Sequence, residues 1–309
     1  MLDAIIIGGS YAGLSAALQL ARARRKVLVI DGGQRRNRFA AAAHGFLTQD
    51  GRAPGDIVAD ARAQLSGYPS VQRIDSLVEK AMPAVSGFSV VTANGEAFSA
   101  QRLILALGVV DELPDVPGLA ERWGTSVFHC PYCHGYELDQ GAVGVLAVSP
   151  LSLHQALMVP DWGPTTFFLN GAFAPDDAQL AQLDKRNVRI EREPIARLTG
   201  PELSVELRDG RSLFLNGLFT ATRTCPSGDL AEQLGCAMED GPLGPFIKTD
   251  AFKETTTPGV YACGDAARAM SSVALAVADG AMAGVGLHRS LIFGEEQPAA
   301  AKPAMAQRA

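Results

Sequence analysis

The chain is poor in cysteine, with five among 309 residues. That is too few, and odd in number, for a disulfide scaffold, so any pair needs another purpose in a reducing compartment. It also lacks an excess of positive charge. The 27 Lys and Arg stand against 33 Asp and Glu, a formal charge of -6, without the clustered cations that displace counterions from nucleic acid. No apolar run reaches the roughly 18 residues that a membrane helix requires. The first strand-like segment, DAIIIGG, begins at Asp3, which leaves no room for the charged, apolar and cleavage regions of a signal peptide. No nucleic acid and no membrane are therefore expected as partners, and a cytoplasmic location is the default expectation. The final stretch, residues 295–309, is Ala, Pro and charge without apolar period, and is expected to be disordered.

What is present reads as one plan used twice, and the length suggests two domains. From Asp3 the sequence AIIIGGSYAGLSAALQLARARRKVLVID gives an apolar strand, a Gly-rich turn, a helix with Leu14, Ala17, Leu18 and Ala21 at helical spacing, and a second strand. In FSVVTANGEAFSAQRLILALG, Asn94-Gly95 predicts a type I′ hairpin turn before an apolar strand ending at Gly108. The second half repeats the order: strand AVGVLAV, helix LSLHQALMV, strand TTFFLNG, a hairpin turning at Asp209-Gly210, and strand LFTAT. A last segment, GVYACGDAARAMSSVALAVADGAMAGVGLHRSL, holds a strand, a turn at Gly264-Asp265 and a long small-residue helix. That helix has no partner of its own and is predicted to pack back on the first domain. The fold class is therefore α/β, with two Rossmann-like (three-layer ββα) nucleotide-binding domains. The first domain is discontinuous, over residues 1–112 and 237–294, and the second spans 113–236.

In GGSYAG the dinucleotide pattern G-x-G-x-x-G is met at Gly8 and Gly13, with Ser10 replacing the middle Gly. Gly8 permits the tight turn, residue 10 must let a pyrophosphate approach the backbone, and Gly13 lets helix and strand pack closely. Asp31, at the end of the second strand, is placed to accept bonds from a ribose. The corresponding turn of the second domain is LAVSPLS, with Ala147, Val148 and Ser149 in the places of the glycines. Val148 adds a branched side chain and Pro150 removes an N–H donor. Asn170-Gly171 stands where NADP selectivity would want Arg. The second domain is predicted to bind NAD(P) poorly or not at all.

Three readings are open for VFHCPYCHGYE. Cys130 and Cys133 could bind zinc if His129 and His134 completed the set, though as immediate sequence neighbours they make tetrahedral closure awkward. They could be small buried hydrophobes. They could also form a redox disulfide, activated by a helix N-terminus or a nearby cation.

The order of Gly motif, CxxC inside the second domain and C-terminal GVYACGD resembles the low-molecular-weight thioredoxin reductase family over nearly the whole chain. The resemblance implies bound FAD and no metal, with Gly8, Gly9, Ser10, Tyr11, Ala12, Gly13, Asp31, Gly108, Gly264 and Asp265 as cofactor-binding positions. It implies Cys133 as the flavin-proximal cysteine, Cys130 as the interchange thiol and His134, where the family has Asp, as the acid/base group. Glu137 is a weaker acid/base candidate, and His44, on a loop that the family lays across the flavin, is read as structural. Ser272 and Val273 replace an Arg-Gln pair of the family, and Cys225, Cys236 and Cys263 receive no role. CPYCHGYE together with the degraded second turn resembles a subgroup, the FAD-dependent dithiol oxidases that close disulfides in gliotoxin, holomycin and romidepsin and pass the electrons to oxygen. The substrate would be a small-molecule or protein dithiol, and a homodimer is implied. The alternatives are a disulfide reductase fed by NADPH, ferredoxin or another donor, and a flavin/disulfide redox sensor without turnover.

Overall fold

The computed structural model describes residues 1–200 and 202–294, so the tail expected to be disordered lies outside the described residues. The predicted βαβ start is present: β1 (Leu2–Ile7), α1 (Tyr11–Arg22) and β2 (Val27–Asp31). After it come α2 (Pro54–Ser66), β3 (Val71–Asp75), β4 (Val78–Ala84), β5 (Gly87–Thr92) and β6 (Ala97–Leu105). The sheet runs β3-β2-β1-β6-β5-β4. Its centre is parallel, with β1 between β2 and β6, and the β4-β5-β6 side is antiparallel. Ile5, Ile6, Ile30, Leu103 and Ile104 are fully buried because apolar clusters cover both faces.

The β5–β6 turn differs from the sequence expectation. Gly95 takes a left-handed φ of 82°, but Asn94 does not have the positive φ that a type I′ turn requires. The Gly95 N–H donates to the Thr92 carbonyl and the Thr92 N–H to the Glu96 carbonyl, both at 2.9 Å. This is a three-residue loop in which Gly alone carries the left-handed conformation. Asn94 serves instead through its side chain, whose Nδ2 donates to Glu96 Oε2 at 2.7 Å.

The chain then crosses through β7 (Val109–Glu112) into a second unit. This unit contains β8 (Val127–Phe128), α3 (Pro131–His134), β9 (Val143–Leu146), α4 (Ser152–Met158), β10 (Thr165–Phe168), α5 (Asp177–Lys185) and β11 (Arg189–Glu191). An antiparallel sheet of β12 (Ile195–Thr199), β13 (Leu203–Leu207) and β14 (Ser212–Leu215) follows, then β15 (Gly217–Thr220). The parallel sheet of the unit is ordered β11-β10-β9-β15-β8. The return crossing, β16 (Arg223–Pro226), pairs antiparallel with β7, so two strands side by side join the units.

After the crossing come α6 (Leu230–Gln233), β17 (Met238–Gly241), β18 (Gly244–Ile247), β19 (Val260–Ala262) and α7 (Val273–Phe293). Leu230, Ala231, Leu234 and Cys236 pack into the core of the first sheet. The chain thus re-enters the first unit before residue 237, where the sequence suggested the boundary. β19 pairs parallel with the end of β6, and α7 lies on α1, in the first unit. A Cβ on Gly280 would sit 2.0 Å from the Ala12 carbonyl oxygen, and one on Gly284 2.7 Å from that of Ala16. Only residues without a side chain allow the helices this approach. No helix among the described residues is long and apolar enough to cross a membrane.

Candidate active site at the domain junction

The first Gly turn is built from close approaches. Gly8, at a φ of 106°, has room for no Cβ, which would lie 2.2 Å from the Ala106 carbonyl oxygen. A Cβ on Gly13 would lie 1.8 Å from the Gly8 carbonyl oxygen, and one on Gly9 would lie 2.7 Å from the Asp31 Cβ. Ser10 caps α1 without spending its side chain on the helix, and Ala12 is buried beneath the turn. Asp31 accepts from the Gly33 N–H at 3.1 Å and pairs with Arg62 at 2.5 Å. Gly264, at a φ of 73°, brings its turn within 2.9 Å of the Ala12 Cβ, measured from an added Cβ. Gly108, also left-handed, lies between β6 and β7, and its carbonyl accepts from the Ser227 N–H at 3.1 Å. Beside these, Asn37 donates to the Tyr11 hydroxyl at 3.1 Å, while the buried Asn37 Oδ1 and Arg35 Nε have no partner. Buried polar atoms without partners are costly unless a ligand satisfies them. A side-chain-free cradle, a carboxylate at the end of β2 and orphaned polar atoms fit a bound dinucleotide.

Opposite this turn, β8 delivers the cysteines. Cys130 caps α3, Pro131 takes its first helical position, and Cys130 and Cys133 are joined as a disulfide. A cavity of about 140 Å³ lies between the two units. Cys133 and His134 line it from one side, and Tyr11, Arg36, His44 and Asp265 from the other, whereas Cys130 is outside its wall. Ser272 and Val273 also reach the cavity, and Ser272 Oγ caps α7 by accepting from the Leu275 N–H at 3.1 Å. Among the described residues no group of three or more His, Cys, Asp or Glu is arranged to hold a metal ion.

Burial disfavours the charged form of His129 and His134. His134 stacks on Phe128 with ring centroids 4.3 Å apart. Burial pushes its pKa below the ordinary value, Glu137 partly offsets this, and His44 adds to it. Burial, reinforced by the Arg36 charge, lowers His129 to about 3. Gln155 holds the His129 carbonyl at 2.9 Å.

Sequence reasoning missed the charged centre of the junction. Arg36 binds Asp111 through two hydrogen bonds of 2.9 and 2.6 Å and reaches Asp265 at 3.3 Å. Asp111, on the crossing strand β7, also accepts from Thr222 at 2.7 Å. Burial raises the Asp265 carboxyl, and Arg36 opposes that rise. The only signal was the RRNR run at 35–38 directly after β2, a pattern that ordinarily marks a solvated loop. His44, read as structural, faces the cavity and lies 3.3 Å from Glu137 Oε1.

Side chains occupy two backbone donors in the turn of the second unit. The Val148 N–H donates to Ser152 Oγ at 3.0 Å and the Leu151 N–H to Ser149 Oγ at 3.3 Å, while Pro150 has no N–H. Asn170, at a φ of 48°, spends its side-chain oxygen on the Ile195 N–H at 2.9 Å. The nearby pocket, about 620 Å³, is walled by Val148, Leu151 and Leu243 and carries the acids Glu112 and Asp240 together with Arg223.

Comparison with known proteins gives a consistent picture. The family described as pyridine nucleotide-disulphide oxidoreductase matches residues 2–149 and 176–280. A thioredoxin reductase of Aspergillus oryzae, aclD, is 34% identical over 96% of this chain and 98% of its own length. A crystal structure of an oxidoreductase from Agrobacterium tumefaciens is 56% identical, with a TM-score of 0.93 over 95% of this chain and 99% of its own. The crystal structure of HlmI is 35% identical, with a TM-score of 0.88 over 94% and 92%.

Proposed function

The chain belongs to the pyridine nucleotide-disulphide oxidoreductase family and is an oxidoreductase related to the flavin-dependent thioredoxin reductases; from that premise we propose that it is an FAD-dependent dithiol oxidase. The observation that carries this reading is the Cys130–Cys133 disulfide at the junction cavity, with Cys133 inside the wall and Cys130 outside it. Gly8 to Gly13, Asp31, Gly108, Gly264 and Asp265 would hold FAD, with Asn37 and Arg36 as further contacts. Bound FAD supplies the two-electron path from the cysteine pair to oxygen.

A substrate thiolate attacks Cys130 and forms a mixed disulfide, which frees the Cys133 sulfur. The second substrate thiol displaces Cys130, so the substrate leaves as a disulfide and the enzyme holds a dithiol. His134, neutral and beside Cys133, accepts a proton from the thiols. Per turnover the substrate loses two electrons and two protons, and oxygen takes them up as hydrogen peroxide.

Oxidation rather than reduction is supported by the second turn, whose Val148 and Leu151 N–H groups are occupied by Ser152 and Ser149. The reductase reading is favoured by the naming of relatives as thioredoxin reductases. Anaerobic mixing separates the two. A small dithiol is expected to bleach the flavin, with colour returning and oxygen consumed on aeration. NADPH and NADH are expected to bleach it at least about 100-fold more slowly, since the missing backbone bonds to a charged pyrophosphate cost several kcal/mol. Rapid bleaching by NADPH would return the reductase to the front.

The pH dependence follows from His134. Because its conjugate acid is disfavoured, the ring stays neutral and able to accept a proton as pH falls through the ordinary imidazole value of about 6.5. Anaerobic bleaching rates, corrected for the thiolate fraction of the substrate, are expected to lose their plateau only below that value. A midpoint at or above it would exclude His134 as the acceptor in this environment.

A further inference from the structure

We propose that Tyr132, Tyr136 and Trp162 form an aromatic ledge beside Cys130 that selects a small, uncharged dithiol carrying an aromatic ring; the inference rests on the dithiol reading above and names the substrate class within it. Tryptophan and tyrosine are few in this chain and unevenly placed. Of two Trp and five Tyr, both Trp and two Tyr gather at the cysteine segment. Trp123 faces His129 with ring centroids 6.1 Å apart, and Trp162 meets Tyr132 edge to face at 5.2 Å.

The ledge faces water. Tyr132 is 72% exposed and Tyr136 86%, whereas the other three tyrosines are buried or half-buried. Rings left in water forfeit the burial that ordinarily makes an aromatic side chain stabilising. Neither hydroxyl is hydrogen-bonded within the described residues, so the fold gains little from either side chain. Trp162 is different, because it is fixed. It follows α4, and a Cβ on Gly135 would lie 2.6 Å from its indole, so the missing side chain at the end of α3 is what seats the ring there. The indole in turn holds Tyr132 edge-on.

Position ties the rings to the chemistry. Tyr132 stands between the two cysteines, so its Cα is within about 7.6 Å of that of Cys130. Cys133 lines the junction cavity, while Cys130 is half-buried and outside its wall. A thiol arriving at Cys130 from solvent therefore comes within reach of the exposed Tyr132 ring.

The surrounding charge narrows the ligand. No Lys or Arg stands between Arg122 and Lys185, while Glu137 and Asp139 follow Tyr136. Asp161, just before Trp162, is paired with Arg186 at 2.6 Å, which leaves no excess of cations at the rings. An anionic substrate is disfavoured there. Three rings also offer far less than the roughly 800 Å² that a protein partner covers. What fits is a flat apolar ring, stacked or edge-on against Tyr132 and Trp162, with its thiols reaching Cys130.

The test compares benzenedimethanethiol, as its ortho isomer, with dithiothreitol, since both close a six-membered cyclic disulfide. Anaerobic bleaching of the FAD-loaded protein is measured with each, and each rate is divided by that dithiol's rate with hydroxyethyl disulfide in solution. The wild type is expected to prefer the aromatic dithiol about tenfold, the worth of one good aromatic contact. Tyr132→Ala and Trp162→Ala should each remove most of that preference, and Tyr136→Ala part of it. Tyr132→Phe should keep it, as should Phe214→Ala, which removes an exposed ring from β14 of the same unit. Melting temperature is read first, and if Trp162→Ala unfolds, the exposed Tyr132→Ala decides. No preference in the wild type, or a preference that survives Tyr132→Ala because both dithiols slow equally, overturns the ledge alone. Faster bleaching by reduced thioredoxin than by either small dithiol does the same, because the face then serves a protein. A wild type that none of the three bleaches overturns the dithiol reading, and the ledge with it.

Discussion

Cys130→Ser and Cys133→Ser are each expected to lower dithiol turnover by about 10³-fold or more, as loss of a covalent nucleophile commonly does, while the protein stays yellow. Neither side chain supports the dinucleotide cradle, which is built from Gly8, Gly13 and the Gly264 turn, so flavin absorption should survive both changes. The two variants should differ in their remaining thiol. Cys130, outside the cavity wall, should be alkylated readily in Cys133→Ser, whereas Cys133, which lines the cavity, should react more slowly in Cys130→Ser. Mass spectrometry of the alkylated proteins and oxygen-electrode rates provide both readouts. Full activity in either variant would remove the disulfide from the mechanism.

Gly13→Ala should disrupt the chain's dinucleotide turn with a single methyl group. The added carbon would lie 1.8 Å from the Gly8 carbonyl oxygen and 3.3 Å from the Ala106 Cβ. The nearest atom is backbone and cannot swing away, so β1 and α1 must separate. Overpacking of this kind costs about 3 kcal/mol or more, which for a protein of this size corresponds to a melting temperature lower by roughly 5 to 10 °C. The displaced turn also loses its fit to a pyrophosphate, so the purified variant should be colourless or nearly so. Gly55→Ala is the control. It lies in α2 with only the Arg35 guanidinium within 4 Å of a new Cβ, at 3.8 Å, and should keep both flavin and melting temperature. A yellow Gly13→Ala protein of wild-type stability would show that the turn does not need this close packing.

What the sequence by itself determined is local. The first βαβ unit, the Gly turn, Asp31, the CxxC and the long helix after Gly264 are patterns among near neighbours, where periodicity, missing side chains and short spacings act directly. The loss of glycines from the second turn was equally legible, since Val148 and Pro150 stand in the sequence itself, although the use of Ser149 and Ser152 to fill the Val148 and Leu151 N–H groups appears only in three dimensions. The type of the Asn94-Gly95 turn was not legible, because both turn types accept the same dipeptide and strand twist selects between them. The return of the chain before residue 237 was hidden because α6 is short and is held by packing on the first sheet.

The tertiary structure alone decided the site. Arg36 meets Asp111 across 75 residues and Asp265 across 229, and His44 meets Glu137 from another unit. No spacing rule connects such partners. They are brought together by β7 and β16 crossing side by side between the units, and the lowered pKa of His134 follows from the burial this junction creates. Sequence specifies which groups the chain carries, whereas the environment that sets their charge exists only once both units have closed around the cavity.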